Sequence, residues 1–277
     1  MRKKVRRKTI LPGFGLTLGI TVTYLGLVVL IPLSMLFIKT AGMGFQPFIE
    51  IVTSPRSVSA YWLSFYTAAI SALINAVFGF LVAWVMVRYS FFGKKVLNAL
   101  IDIPFALPTA VAGIALTAAY SGQGWIGHLL GKIGITAVFN PIGIIIALTF
   151  IGMPFVIRTI EPVLEDMEKE MEEAASSLGA SRIQTWIRVI LPTVLPAWIT
   201  GTTLSFARSL GEYGSVVFIS GNMPFKTEIA PLLIMTQLEQ YNYEGATAIA
   251  CIMLLASFSL LLLINSLQAW SKVRGRG

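Results

Sequence analysis

Six apolar stretches, at roughly 14–38, 61–87, 97–120, 142–163, 193–220 and 246–268, each run twenty residues or more with at most two charges. A bilayer's hydrocarbon core, ~30 Å thick, is crossed by about 20 residues of helix. Lipid offers the backbone no hydrogen-bond partner, so such stretches must close their bonds internally, as helices. Only 12% of the 277 residues are charged, about half the fraction usual in soluble domains. The sequence therefore predicts an all-α membrane protein with six transmembrane helices: a basic arm at 1–13, a transmembrane domain over 14–268 and a basic tail at 269–277. The apolar run after the arm is too long for a signal-peptide core, which makes it a retained first helix.

The net charge of +8 raises the question of nucleic acid, but its distribution answers it. Lys and Arg gather at alternate ends of the spans. The arm (Arg2, Lys3, Lys4, Arg6, Arg7, Lys8), Arg88, Lys94, Lys95, Arg158, Lys169, Arg182, Arg188 and the tail (Lys272, Arg274, Arg276) fall on one side, sixteen in all. Lys39, Arg56, Lys132 and Lys226 fall on the other, and Arg208 lies within a span. By the positive-inside rule both termini are cytoplasmic. Membrane lipid, not nucleic acid, is the expected surroundings.

The one long polar segment, Glu161 to Pro192, is therefore cytoplasmic. Met167, Met171, Ala174, Ala175 and Leu178 recur at helical spacing along it, one face of an amphipathic helix. Gly179 follows at a C-cap position and Ser181 can cap a second helix with apolar Ile183, Trp186, Ile187 and Ile190. Pro192 is expected to end or kink that helix. The reading is helix, glycine hinge, helix.

Outside, Phe45, Phe48, Ile49, Ile51 and Val52 before Ser54-Pro55 suit a short interfacial helix, and 121–141 is a glycine-rich loop with the sole histidine, His128, read as a loop residue. The segment 221–244 mixes Lys226, Glu228, Glu239 and Glu244 with Tyr241 and Tyr243, suiting either a soluble partner or plain solvation. Cys251 lies in an apolar span, so no disulfide forms within the chain.

Two spans carry unusual chemistry. In the third, Pro104 and Pro108 stand among Ala106, Thr109, Ala110, Ala112 and Gly113. That pattern suits pore lining or close helix packing alike. Asp102, at its inner end, calls for snorkelling or a basic partner. In the fifth, Arg208 lies near mid-membrane with Glu212 four residues on, on the same face. Two readings stand: a self-neutralising structural pair, or an arginine that lends positive potential to an anion path with Glu212 setting its orientation. The chain has no G-x-x-x-x-G-K-[ST], no H-E-x-x-H, no cysteine cluster and no nucleophile elbow. It is expected to bind no nucleotide, metal or other cofactor itself, and to be no enzyme.

Glu173-Ala174-Ala175, Gly179 and Leu191-Pro192 stand at the spacing of the EAA loop, and the chain resembles the type I ABC importer permeases that carry it. Val189 takes the place of the family's Ile. The likeness extends through 102–113, 154–165, 172–182 and 206–222, where the chain is similar to sulfate/thiosulfate importer permeases of the T type; molybdate permeases share shorter versions, so a molybdate/tungstate permease is the alternative. The resemblance implies a bacterial-type plasma-membrane subunit that pairs with a homologous W-type permease, two cytoplasmic ATPase subunits that bind the ATP, and an external sulfate-binding protein. It implies coupling through Glu173, Ala174, Ala175, Gly179, Leu191 and Pro192. Donors for an oxyanion would come from Arg208, Ser205, Ser209, Thr109 and Asn222, with Glu212 beside them. A secondary anion transporter is the rival reading, but the two halves show no inverted repeat.

Overall fold

A computed structural model describes residues 14–274. The basic arm, the last three residues of the tail and the Trp270 side chain, expected as an interfacial anchor, lie outside what it describes. Among the described residues there are twelve helices and no strand. Five are long and apolar enough to cross a membrane: α1 (Phe14–Gly42), α3 (Pro55–Arg88), α7 (Pro141–Glu165), α9 (Arg182–Leu210) and the first part of α12 (Tyr243–Arg274). The pair α4 (Lys94–Ala106) and α5 (Thr109–Tyr120), which meet at 115°, makes a sixth crossing if the two together form one broken span. Shorter helices are α2 (Phe45–Val52), α6 (Trp125–Lys132), α8 (Lys169–Ser177), α10 (Gly214–Ser220) and α11 (Ala230–Glu239). The short helix expected before Ser54-Pro55 is thus α2. The tail's residues 269–274 continue α12 as helix.

The centre of the bundle is α3 against α7 and α9. Along one face of α3 run Ala60, Ser64, Ala68, Ser71, Ala72, Asn75, Ala76, Gly79 and Ala83, all buried. The opposite face, with Trp62, Leu73, Val77, Phe78 and Leu81, is exposed. In lipid, helices gain nothing by hiding leucine from a solvent equally apolar; small residues that let backbones approach are what bring them together. A Cβ on Gly79 would fall 2.9 Å from the Val156 side chain, and one on Gly201 2.9 Å from the Val156 Cα. Polar contacts stitch the same seam: Asn75 Nδ2 donates to Ser205 Oγ (3.0 Å), Thr149 Oγ1 to Ser71 Oγ (3.3 Å) and Trp198 Nε1 to the Ala76 carbonyl (2.8 Å).

Local chemistry sets the helix ends. Ser54 and Asn140 cap α3 and α7 through side-chain oxygens. The third span does not bend as a single helix: Leu107 is extended (φ −83°, ψ 138°), as a residue before proline prefers, and the helix stops at Ala106. Pro104, by contrast, sits inside α4.

Both ends of the fifth span differ from the sequence reading. Pro192 does not end the second helix of the cytoplasmic loop. A five-residue π-turn, Trp186–Ile190, pairs the Leu191 amide with the Trp186 carbonyl, and the helix then runs through Pro192 to Leu210. A second π-turn, Gly26–Leu30, precedes Pro32 in α1 in the same way. The widened turn takes the proline without breaking the helix. At its far end the fifth span stops at Leu210 rather than continuing to 220, and resumes as α10 after Gly211–Tyr213.

Candidate functional site

The loop between α7 and α9 begins later than the sequence reading placed it, because Glu161 to Glu165 still belong to α7 and Glu161 is buried. Met167 is also buried, ahead of α8, so only Met171 to Leu178 remain of the expected stripe. Helix α8 closes on a Schellman turn. The Ala180 amide donates to the Ala175 carbonyl (3.0 Å) and the Gly179 amide to the Ser176 carbonyl (2.9 Å), with Gly179 at φ +81°. A reciprocal capping box follows: the Ser181 amide donates to Gln184 Oε1 (2.8 Å) and the Gln184 amide to Ser181 Oγ (3.3 Å). The loop is therefore two locally terminated helices with a fixed elbow.

What this elbow presents is apolar and uncovered. Leu178 is 88% exposed and Ile183 72%, with Ile187 and Met171 exposed beside them. Glu173 and Ala174 are exposed and Ala175 half-buried; of the Leu191-Pro192 pair, Leu191 is half-buried and Pro192 exposed. A patch of this kind marks a surface that meets another protein or a membrane. It is tied back to the bundle by a salt bridge between Glu172 and Arg88, whose guanidinium lies 5.3 Å from the Trp84 ring. No sequence signal links Arg88 to Glu172, because they stand 84 residues apart.

A second ionic node lies beside it. Arg158 makes a two-pronged bridge to Asp102 (Nε to Oδ1 2.9 Å, Nη2 to Oδ2 2.7 Å) and reaches Glu161 Oε2 at 2.6 Å. Asp102 thus has the basic partner its position demanded. On the opposite side, Glu228 is not part of a surface for a soluble partner. It is 2% exposed and held by Arg56 through two 2.7 Å hydrogen bonds. Lys226, Tyr241 and Tyr243 remain exposed there.

In the fifth span the pairing at i,i+4 is present: Arg208 Nη1 lies 2.7 Å from Glu212 Oε2. Glu212 is almost wholly buried, its side chain 2% accessible, whereas that of Arg208 is 34% accessible. The other Glu212 oxygen accepts from the Ser215 amide and hydroxyl, both at 2.9 Å, which places the carboxylate at the start of α10. Negative charge is stabilised at that end of a helix. Arg208 keeps about a third of its side chain accessible while paired with Glu212.

The two helix breaks meet here. A Cβ on Gly214 would fall 2.2 Å from Thr109 Oγ1, and one on Gly113 2.5 Å from the Ser215 carbonyl oxygen. So the start of α5 abuts the start of α10, and Thr109, Glu212 and Arg208 belong to one neighbourhood. Non-helical backbone at membrane depth is tolerated only where protein or a water-filled cavity surrounds it, and helix ends of this kind build ion sites in transporters.

The remaining expected donors are elsewhere. Ser205 and Ser209 are buried in the bundle, and Ser205 accepts from Asn75. Asn222, in a left-handed conformation (φ 46°), donates its side-chain amide to Thr236 Oγ1 at 3.3 Å within the outer loop. Neither their burial nor the loop contact is visible in residue spacing.

Comparison with known proteins identifies the family and the fold. The family model described as binding-protein-dependent transport system inner membrane component matches residues 75–274. A probable sulfate transport system permease protein cysT of Nephroselmis olivacea is 49% identical over 91% of this chain and 88% of its own length. The sulfate transport system permease protein CysT of Escherichia coli is 44% identical, covering 96% of each chain. Among solved structures, a bacterial ABC transporter involved in the import of the acidic polysaccharide alginate superposes with TM-score 0.76 at 17% identity, over 92% of this chain and 94% of the other. The MetNI methionine ABC transporter gives 0.56 at 16% identity, over 76% and 94%.

Proposed function

The chain belongs to the family of binding-protein-dependent transport system inner membrane components, and from that membership we propose that it is the permease subunit of an ATP-driven sulfate and thiosulfate importer. Sulfate is preferred to molybdate because the relatives that cover nearly the whole chain are sulfate permeases. The chain crosses the plasma membrane several times and carries no nucleotide motif of its own. ATP is therefore hydrolysed by separate ATPase subunits on the cytoplasmic side. A homologous W-type permease completes the membrane pair, and an external binding protein delivers the anion.

The observation that carries this reading is the capped two-helix elbow with Leu178 and Ile183 uncovered at its tip. A soluble ATPase cleft supplies the cover that the described residues do not, and the elbow's fixed geometry lets displacement pass to α9 without loss in a flexible linker. Within the membrane, Arg208 supplies positive potential and donors to a dehydrated oxyanion, Glu212 holds it in place and Thr109 adds a hydroxyl. Ser205, Ser209 and Asn222 enter such a path only if the transport cycle opens the seams that now contain them.

The test is ATP hydrolysis by the reconstituted complex with sulfate-loaded binding protein. Hydrolysis should rise in the wild type and lose that rise, or the ATPase itself, in Gly179→Val and Glu173→Lys. Hydrolysis and uptake that ignore both substitutions would remove the coupling role and favour a transporter that uses no ATPase.

A further inference from the structure

The ionic node at Arg158 does more than neutralise Asp102. Its guanidinium spends all its hydrogen-bonding groups on α4 and on the root of the cytoplasmic loop. Nε and Nη2 hold the two Asp102 oxygens; Nη1 donates to Asn98 Oδ1 (2.9 Å) and to Glu161 Oε2 (2.6 Å); Nη2 also donates to the Asn98 carbonyl (3.1 Å). Among the described residues, every side-chain hydrogen bond between α4 and α7 runs through this one group. Apolar packing of α4 is limited to one face: Ile101 and Pro104 are buried, Leu97 packs beside them and the Phe105 ring meets Phe155 edge-on at 5.2 Å, while Val96 and Leu100 are exposed. An open cavity lined by Met86, Phe91, Lys94, Asn98 and Glu165 flanks the node.

What α4 would carry if it moved is the other half of the third span. Across the 115° break, α5 sets Thr109 and Gly113 against Gly214 and Ser215, next to the Glu212–Arg208 pair. Glu161 stands at the last turns of α7, from which the cytoplasmic loop departs. We propose that Arg158 is a positioning residue that transmits displacement of the loop to the broken third span, and through it to the surroundings of Arg208. Five donors in one planar fork make a stiff joint between three acceptor residues; an ammonium has three donors and no fixed plane. The inference rests on the importer reading.

The experiment uses the complete complex in proteoliposomes and records uptake and ATP hydrolysis on the same preparation. Arg158→Lys keeps the charge and loses the fork, and Asp102→Asn keeps the shape and loses the anion. Anion carried per ATP should fall about tenfold in both, with binding-protein-stimulated hydrolysis kept within about twofold of wild type. A residue that merely stabilises the fold would lower both rates in proportion, and an unchanged ratio overturns the proposal. If Arg158→Lys does not assemble, the ratio in Asp102→Asn decides alone. The ratio is read with whichever oxyanion the wild type carries, so an error about sulfate and an error about Arg158 are separable. A wild type in which hydrolysis drives no uptake overturns both readings.

Discussion

Glu212 keeps its carboxyl group almost entirely out of solvent, and three contacts make that tolerable: Arg208, the Ser215 amide and the Ser215 hydroxyl. Removing the cation leaves a buried carboxylate with two neutral donors. Arg208→Gln is therefore expected to cost about 3 kcal/mol, as breaking one side of a buried pair does. Glu212→Gln keeps an oxygen for Ser215 and leaves the partly exposed Arg208 to water, so about 1–2 kcal/mol is expected. Thermal unfolding in detergent checks the order; equal losses would mean that solvent reaches Glu212. The i,i+4 spacing made this pair legible in the sequence, since both partners lie on one helix. Arg88–Glu172 and Arg56–Glu228 were not legible, because their partners come together only when separate helices pack. Glycines divide the same way. Gly179 is needed for its positive φ, which a turn signal in the sequence conveys. Gly113 is needed because the Ser215 backbone lies where a Cβ would go, which only the packed structure reveals.

At the scale of elements, the cytoplasmic loop was the most readable part of the chain, since its terminators are local. Gly179 closes α8 and Ser181 opens the next helix, where S-x-x-Q also spells out the capping box. Its limits were less readable: α7 overruns Glu161, and α9 runs through Pro192 on a π-turn that leaves no mark in side-chain periodicity. The apolar tip separates function from stability. Leu178 and Ile183 touch little on their own chain, so Leu178→Ser and Ile183→Ser should change stability by no more than about 0.5 kcal/mol. Both should nevertheless weaken retention of the ATPase when the complex is purified through this subunit. Full retention in the double substitution would show that the tip is not the contact.

For the whole molecule, hydropathy located the spans but not their inward faces, because lipid-facing and packed residues are equally apolar. The small-residue stripe of α3 decides which face turns in, and the charge asymmetry decides which end is cytoplasmic. The coupling reading depends on that second decision: an ATPase can reach α8 only if the end bearing it faces the cytoplasm. Lys95 lies exposed at that end, and Lys226 exposed at the other. The sole cysteine, Cys251, is buried and can be replaced by alanine to give a silent background. In that background a membrane-impermeant maleimide added to intact spheroplasts should label Lys226→Cys at once. It should label Lys95→Cys only after the membrane is opened. The reverse pattern would put the elbow outside, beyond any ATP, and the importer mechanism would fail at its first step. Labelling of both from outside would mean that the bent third span turns back without crossing, because α4 and α5 are the only elements whose passage the 115° break leaves open to either course.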